Sequence, residues 1–182
     1  MRHLEFAHAL WKLYVAPGDL AVDATAGNGH DCLTLLEMGL QLVAFDIQEE
    51  ALNATRERLH MFSKERYSLH LLCHSKMEQV LELNSAKLIV FNLGYLPGSD
   101  KSCTTLTPTT LQAIEASMRA VAPGGLISIT CYPGHPEGAV EEAAILSILK
   151  NLDPKAWHYS SHSFPNRPKH PHLLLIQKII VE

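Results

Sequence analysis

The stretch Leu20-Ala21-Val22-Asp23-Ala24-Thr25-Ala26-Gly27-Asn28-Gly29-His30-Asp31 decides how this chain is read. Leu20 to Ala24 offer apolar side chains to both faces, as a strand inside a parallel sheet requires. Gly27 and Gly29 lack a Cβ, so they permit positive φ and close approach of the backbone to a ligand. Leu33, Leu35, Leu36 and Met38 then recur as one side of a helix. Strand, glycine turn and helix open a βα unit. In open α/β sheets the ligand lies beyond the carboxyl ends of the strands, where strand order reverses.

Reading outward, Leu4, Ala7, Leu10, Trp11 and Tyr14 place an amphipathic helix within residues 1–16, stopped by Pro17-Gly18-Asp19. Downstream, strands are expected at Gln41–Asp46, Ser68–Cys73, Lys87–Asn92 and Leu126–Tyr132. Helices at Glu49–Phe62, Met77–Leu83, Pro108–Val121 and Glu137–Leu149 alternate with them, and Pro123-Gly124-Gly125 turns the chain into the fifth strand. Such alternation over residues 20–150 implies a mostly parallel sheet with right-handed crossovers. The last two strands, Trp157–Phe164 and Leu173–Val181, have no helix between them and must pair as an antiparallel hairpin, residues 157–181, at the sheet edge. The expectation is one α/β domain over residues 1–182, with a mostly parallel seven-stranded sheet and an antiparallel C-terminal strand.

Size and composition bound the function. A chain of 182 residues, 47% hydrophobic and 19% charged, suits one folded domain with a substantial core. Its four cysteines form no C-x-x-C pair, so neither a zinc site nor a disulfide framework is expected and the thiols read as reduced and cytosolic. No bound metal is expected. Neither a signal peptide nor a run near the ~20 apolar residues of a membrane span is legible. A net charge of -4 and a pI near 6.2 exclude a generally cationic nucleic-acid-coating surface. Local basic patches stay open, Arg167-Lys169-His170-His172 among them, as phosphate contacts or as a solvated turn.

Candidate site residues cluster at the ends of the predicted strands. Asp46 closes the second strand roughly 20 residues beyond the glycine turn, where a carboxylate can accept from both ribose hydroxyls of an adenosine. Its other reading is an acidic residue before the next helix, but the glycine turn at that interval favours ribose binding. NAD and S-adenosylmethionine share this arrangement. Cys32 stands where a third dinucleotide-binding glycine would fall, and it is small enough to leave both open. The fourth strand runs into Asn92-Leu93-Gly94-Tyr95-Leu96-Pro97-Gly98, similar to the Asn/Asp-Pro-Pro-Tyr of amino-group methyltransferases but with Leu93-Gly94 for the two prolines. In those enzymes the amide oxygen and a backbone carbonyl accept hydrogen bonds from the acceptor amine. Read without that likeness, the segment is a glycine-proline turn after a buried strand.

Taken together, Asp23 to Asp31, Phe45-Asp46-Ile47-Gln48, Phe91 to Gly98 with Asp100-Lys101-Ser102, Thr109 to Ile114 and Gly134-His135-Pro136-Glu137-Gly138 resemble one family. It is the rRNA methylase family of small S-adenosylmethionine-dependent methyltransferases, which includes the tRNA 5-(aminomethyl)-2-thiouridine methyltransferases. The resemblance implies a Rossmann-like class I methyltransferase fold with S-adenosyl-L-methionine as cofactor. Asp23, Gly27, Asn28 and Gly29 would surround its methionine part and Asp46 and Gln48 its ribose and adenine, with Thr25, Asp31, Ser75 and Asn92 also binding the cofactor. Asn92, Tyr95, Asp100 and His135 would be catalytic, and Leu93, Gly94, Lys101, Pro136 and Glu137 would bind substrate. Cys32, Ser99, Lys76 and the Asn166 to His172 turn depart from the family's usual residues.

The resemblance also implies an RNA partner, the tRNA anticodon loop, and a homodimer in the cytoplasm. A neutral amine would attack the methyl group; if a general base takes part, Asp100 and His135 are the candidates. An rRNA or small-molecule methyltransferase, a nucleotide-binding protein without activity and a nicotinamide-linked oxidoreductase remain rival readings.

Overall fold

A computed structural model describes residues 3–95, 104–167 and 169–180. In chain order it contains α1 (His3–Trp11), β1 (Leu20–Asp23), α2 (His30–Glu37), β2 (Gln41–Asp46), α3 (Glu49–Arg58), β3 (Tyr67–Leu71), β4 (Ala86–Asn92), α4 (Thr107–Ala120), β5 (Val121–Cys131), α5 (Pro136–Leu149), β6 (Trp157–His162) and β7 (His172–Lys178). Short 3-10 helices at Lys64–Arg66 and His74–Gln79 flank β3. The seven strands form one sheet in the order β3-β2-β1-β4-β5-β7-β6. The first five run parallel, and β7 is antiparallel to both of its neighbours, β5 and β6.

Alternation along the strands divides the interior into two layers. Val22, Ile89, Phe91, Ile127 and Ile129 face α4 and α5, packing on Ala113, Ile114, Ile145 and Leu149. Ala21, Leu42, Ala44, Leu88 and Val90 face the other way, onto Trp11 of α1, Cys32, Leu35 and Leu36 of α2 and Leu52 of α3. Burial of both faces over Ala21–Val22 in β1 and Leu88–Phe91 in β4 explains why these strands read as near-continuous apolar runs. Strand order departs from β1 toward β2 and β3 on one side and toward β4 and β5 on the other. The carboxyl ends of β1 and β4 therefore flank the point of reversal, with Asp23 in register with Val90.

Several boundaries differ from the expectation for physical reasons. The N-terminal helix stops at Trp11, where the chain turns through Leu13 N to Leu10 O and Tyr14 N to Trp11 O bonds. The segment after β3 is a 3-10 turn broken at Lys76, because His74 and Met77 are both drawn into the interior. Strand β5 begins at Val121, ahead of Pro123-Gly124-Gly125. Val121 already pairs with Ala86, and the register then jumps to Leu88 with Leu126, so the Pro-Gly-Gly run is an excursion within the strand. A Cβ on Gly125 would lie 2.8 Å from the Ala122 carbonyl oxygen and 2.9 Å from that of Lys87, which leaves room for glycine alone. Strands β6 and β7 are shorter than expected but form the antiparallel hairpin at the edge. Among the described residues no helix is long and apolar enough to cross a membrane.

Candidate active site

A cavity of about 820 Å³ opens at the carboxyl ends of β1, β2 and β4. Its floor is the glycine turn, which the tertiary structure ties down at several points. Asp46 accepts from the backbone N–H of Gly27 and of Gln48, each at 2.9 Å, one on each carboxylate oxygen. From α3, Thr55 Oγ1 donates to the Gly27 carbonyl at 3.0 Å and Arg58 Nε to that of Asn28 at 2.7 Å. Gly29 has φ 76° and sits so close to α3 that a Cβ would lie 2.8 Å from Thr55 Oγ1. Asp46 thus joins two loops and still has lone pairs for a ligand, since a carboxylate offers about four acceptor directions.

Beneath the turn lies a buried acidic network. Asp23, 1% exposed, accepts from Thr25 N at 3.1 Å and from Cys32 Sγ at 3.1 Å. Burial first, and then the charge of Asp31, push its pKa up to about 7. The Cys32 thiol is pushed well above its ordinary value by burial and by Asp23. Asp31 takes His8 Nε2 at 2.7 Å on one oxygen and Asn92 Nδ2 on the other. Asn92 N in turn donates to Thr25 Oγ1 at 2.7 Å, which locks the end of β4 to the loop after β1.

Four buried side-chain polar atoms have no hydrogen-bond partner among the described residues: His74 Nε2, Asn92 Oδ1, Thr104 Oγ1 and His135 Nε2. All four belong to residues that line this one cavity. Buried polar groups are otherwise paired, so their convergence marks a place built for a polar ligand. His74 is 8% exposed, burial lowers its pKa, and its ring lies edge-on to Phe91 at 6.0 Å. His135 caps α5 by accepting from Gly138 N at Nδ1, 3.1 Å away. That bond leaves the hydrogen of a neutral ring on Nε2, so His135 presents a donor. Behind it Glu141 accepts from Thr105 Oγ1 at 3.0 Å and Thr110 Oγ1 at 2.6 Å, and burial raises its pKa.

Of the residues expected at the site, Asp23, Thr25, Gly27, Asn28, Asp31, Asp46, Gln48, Asn92, Leu93, Gly94, Tyr95 and His135 line the cavity together. Gly29, Ser75, Pro136 and Glu137 do not. Gly29 serves the turn, the Ser75 hydroxyl donates to Cys73 Sγ at 3.1 Å, and Pro136 and Glu137 form the first turn of α5. Asp100 and Lys101 lie outside the described residues. Sequence reasoning missed His74, Thr104, Thr105 and Tyr132, which line the cavity, and read Lys169, which lines it too, only as part of a basic patch. His74 was findable, as a polar residue directly beyond the third strand; Tyr132 arrives from the end of β5 and carries no local signal.

The family described as "Putative rRNA methylase" matches residues 42–178. The chain is 39% identical to the "tRNA (mnm(5)s(2)U34)-methyltransferase, chloroplastic" of Arabidopsis thaliana, over 96% of this chain and 68% of that protein. Among solved structures, a "putative rRNA-methylase" from Clostridium thermocellum superposes with a TM-score of 0.93 at 33% identity, covering 98% of each chain. A "putative methyltransferase" from Streptococcus mutans, in complex with SAH, gives 0.88 at 30% identity, covering 98% of this chain and 99% of that one. By the match of the family model and by this relative, the chain belongs to the "Putative rRNA methylase" family of methyltransferases.

Proposed function

We propose that the protein transfers a methyl group from S-adenosyl-L-methionine to an RNA amine, the aminomethyl group of 5-aminomethyl-2-thiouridine at the tRNA wobble position. The observation that carries this reading is the state of Asn92. A carboxylate only accepts, so Asp31 orients the Asn92 amide with Nδ2 toward itself and leaves Oδ1 buried and unpaired at the cavity wall. An acceptor so held suits an N–H donor, which a primary amine supplies.

The residues present also fit the cofactor. Asp46 has spare acceptor capacity for ribose hydroxyls, His74 Nε2 lacks a partner at the wall, and Asp23 and Asp31 provide anionic surroundings for a cationic ligand. When bound, S-adenosylmethionine supplies an electrophilic methyl on a sulfonium. Asn92 Oδ1 and the Leu93 carbonyl accept the two hydrogens of the neutral amine and so orient its lone pair for displacement. His135, with its hydrogen on Nε2, donates to an acceptor on the base; Tyr95, whose ring centroid lies 6.3 Å from that of His135, borders the acceptor. Gly94 completes the acceptor wall. The product nitrogen carries the new methyl and leaves as a secondary ammonium. The reading extends to a homodimer acting in the cytoplasm, which light scattering and localisation of a tagged chain would check.

The deciding experiment supplies purified protein and labelled cofactor with tRNA carrying 5-aminomethyl-2-thiouridine, with the same tRNA lacking the aminomethyl group, and with ribosomal RNA. Label should enter only the first. Equal labelling of the unmodified tRNA, or preference for ribosomal RNA, overturns the assignment.

A further inference from the structure

We propose that His8, on the N-terminal helix, is a positioning residue for methyl transfer, acting through Asp31 on the orientation of the Asn92 amide. The inference rests on the reading of Asn92 as the group that accepts from the amine. Nothing in the chemistry of α1 by itself points to the site, because the helix lies in a layer opposite α4 and α5.

The geometry makes the connection. Trp11 is buried, and its indole Nε1 donates to Ser128 Oγ of β5 at 2.8 Å, which fastens the end of α1 to the sheet. The His8 ring lies against Trp11, with ring centroids 4.7 Å apart, and its Nε2 meets Asp31 Oδ1 at 2.7 Å. Asp31 is 5% exposed, so each of its oxygens needs a donor; His8 serves one and Asn92 Nδ2 the other.

An amide has two faces of opposite polarity. Turned by 180°, Asn92 would present Nδ2 to the amine and repel the hydrogens it should accept. What prevents the turn is the carboxylate, and what keeps the carboxylate in place on its far side is His8. A ring fixed by Trp11 therefore sets the polarity of the acceptor wall from outside the cavity, since His8 does not line it.

The test compares His8→Met and His8→Gln with the parent protein, alone and combined with Asn92→Ala. Methionine keeps an apolar contact with Trp11 but has no donor, whereas the glutamine amide can still donate to Asp31. Single-turnover methyl transfer is measured at saturating tRNA, with cofactor affinity by calorimetry and folding by thermal melting. His8→Met should slow transfer on the order of 10- to 100-fold, the scale of a misplaced reacting group. Cofactor affinity should stay within about twofold, and His8→Gln should recover most of the rate. In the Asn92→Ala background, His8→Met should cost nothing further, because the group it positions is gone.

Parental rates in His8→Met, failure of glutamine to rescue, or full multiplication of the two losses would each overturn the proposal. Should Asn92→Ala itself transfer methyl at the parental rate, the underlying reading of the site fails instead, and the two failures are told apart by that variant.

Discussion

Replacing Asp23 by asparagine should change the pH dependence of stability in a defined direction. Asp23 is buried to 1% exposure beside Asp31, and its pKa stands at about 7 against an ordinary 3.8. A carboxyl whose pKa is raised on folding favours the fold when protonated. Its contribution is complete below about pH 3.8, falls as pH rises, and is lost once pH passes about 7. At about 1.4 kcal/mol per pH unit, ionising Asp23 in the folded protein costs about 4 kcal/mol by pH 8.

Asparagine stays neutral throughout and keeps an oxygen for the Thr25 N–H. Its stability relative to the parent should therefore climb between pH 4 and pH 8 by several kcal/mol, with groups remote from Asp23 cancelling in the difference. Urea unfolding of both proteins at half-unit pH steps measures this. A flat difference, or one falling with pH, would refute the reasoning. The same linkage predicts that binding a cationic cofactor ionises Asp23. At pH 7 up to about half a proton should be released per site. Calorimetric heats in phosphate and in Tris should then differ for the parent and coincide for Asp23→Asn.

Asp46→Ala should weaken cofactor binding by about 1.5–3 kcal/mol through lost charge-assisted hydrogen bonds, and unchanged affinity by calorimetry would remove Asp46 from the site. Asn92→Ala should leave cofactor affinity nearly intact while slowing single-turnover transfer on the order of 100-fold; a parental rate would contradict its role. Gly29→Ala imposes a left-handed backbone costing about 1–2 kcal/mol and drives a methyl to 2.8 Å from Thr55 Oγ1. Its melting temperature should drop, and a parental melting temperature would contradict the packing role of Gly29.

The sequence by itself determined the order of strands and helices, the parallel sheet with its antiparallel ending, and the place of the candidate site, in that most of the residues expected there line one cavity. These follow from short-range rules: apolar runs mark buried strands, a glycine turn between strand and helix marks the phosphate or cofactor end, and Asp46 and Asn92 stand at strand ends. Only the tertiary structure decided which polar atoms face the cavity unpaired. That depends on partners far apart in the chain, as when Asp31 joins His8 on α1 to Asn92 at the end of β4. It also decided that Gly29 serves packing against Thr55, that His74 reaches the cavity through a broken 3-10 turn, and that His135 is held as a donor by its own helix cap. Periodicity records which face of an element is buried, but the polarity of a site is set by which distant donor occupies each acceptor, and that pairing exists only once the layers have closed.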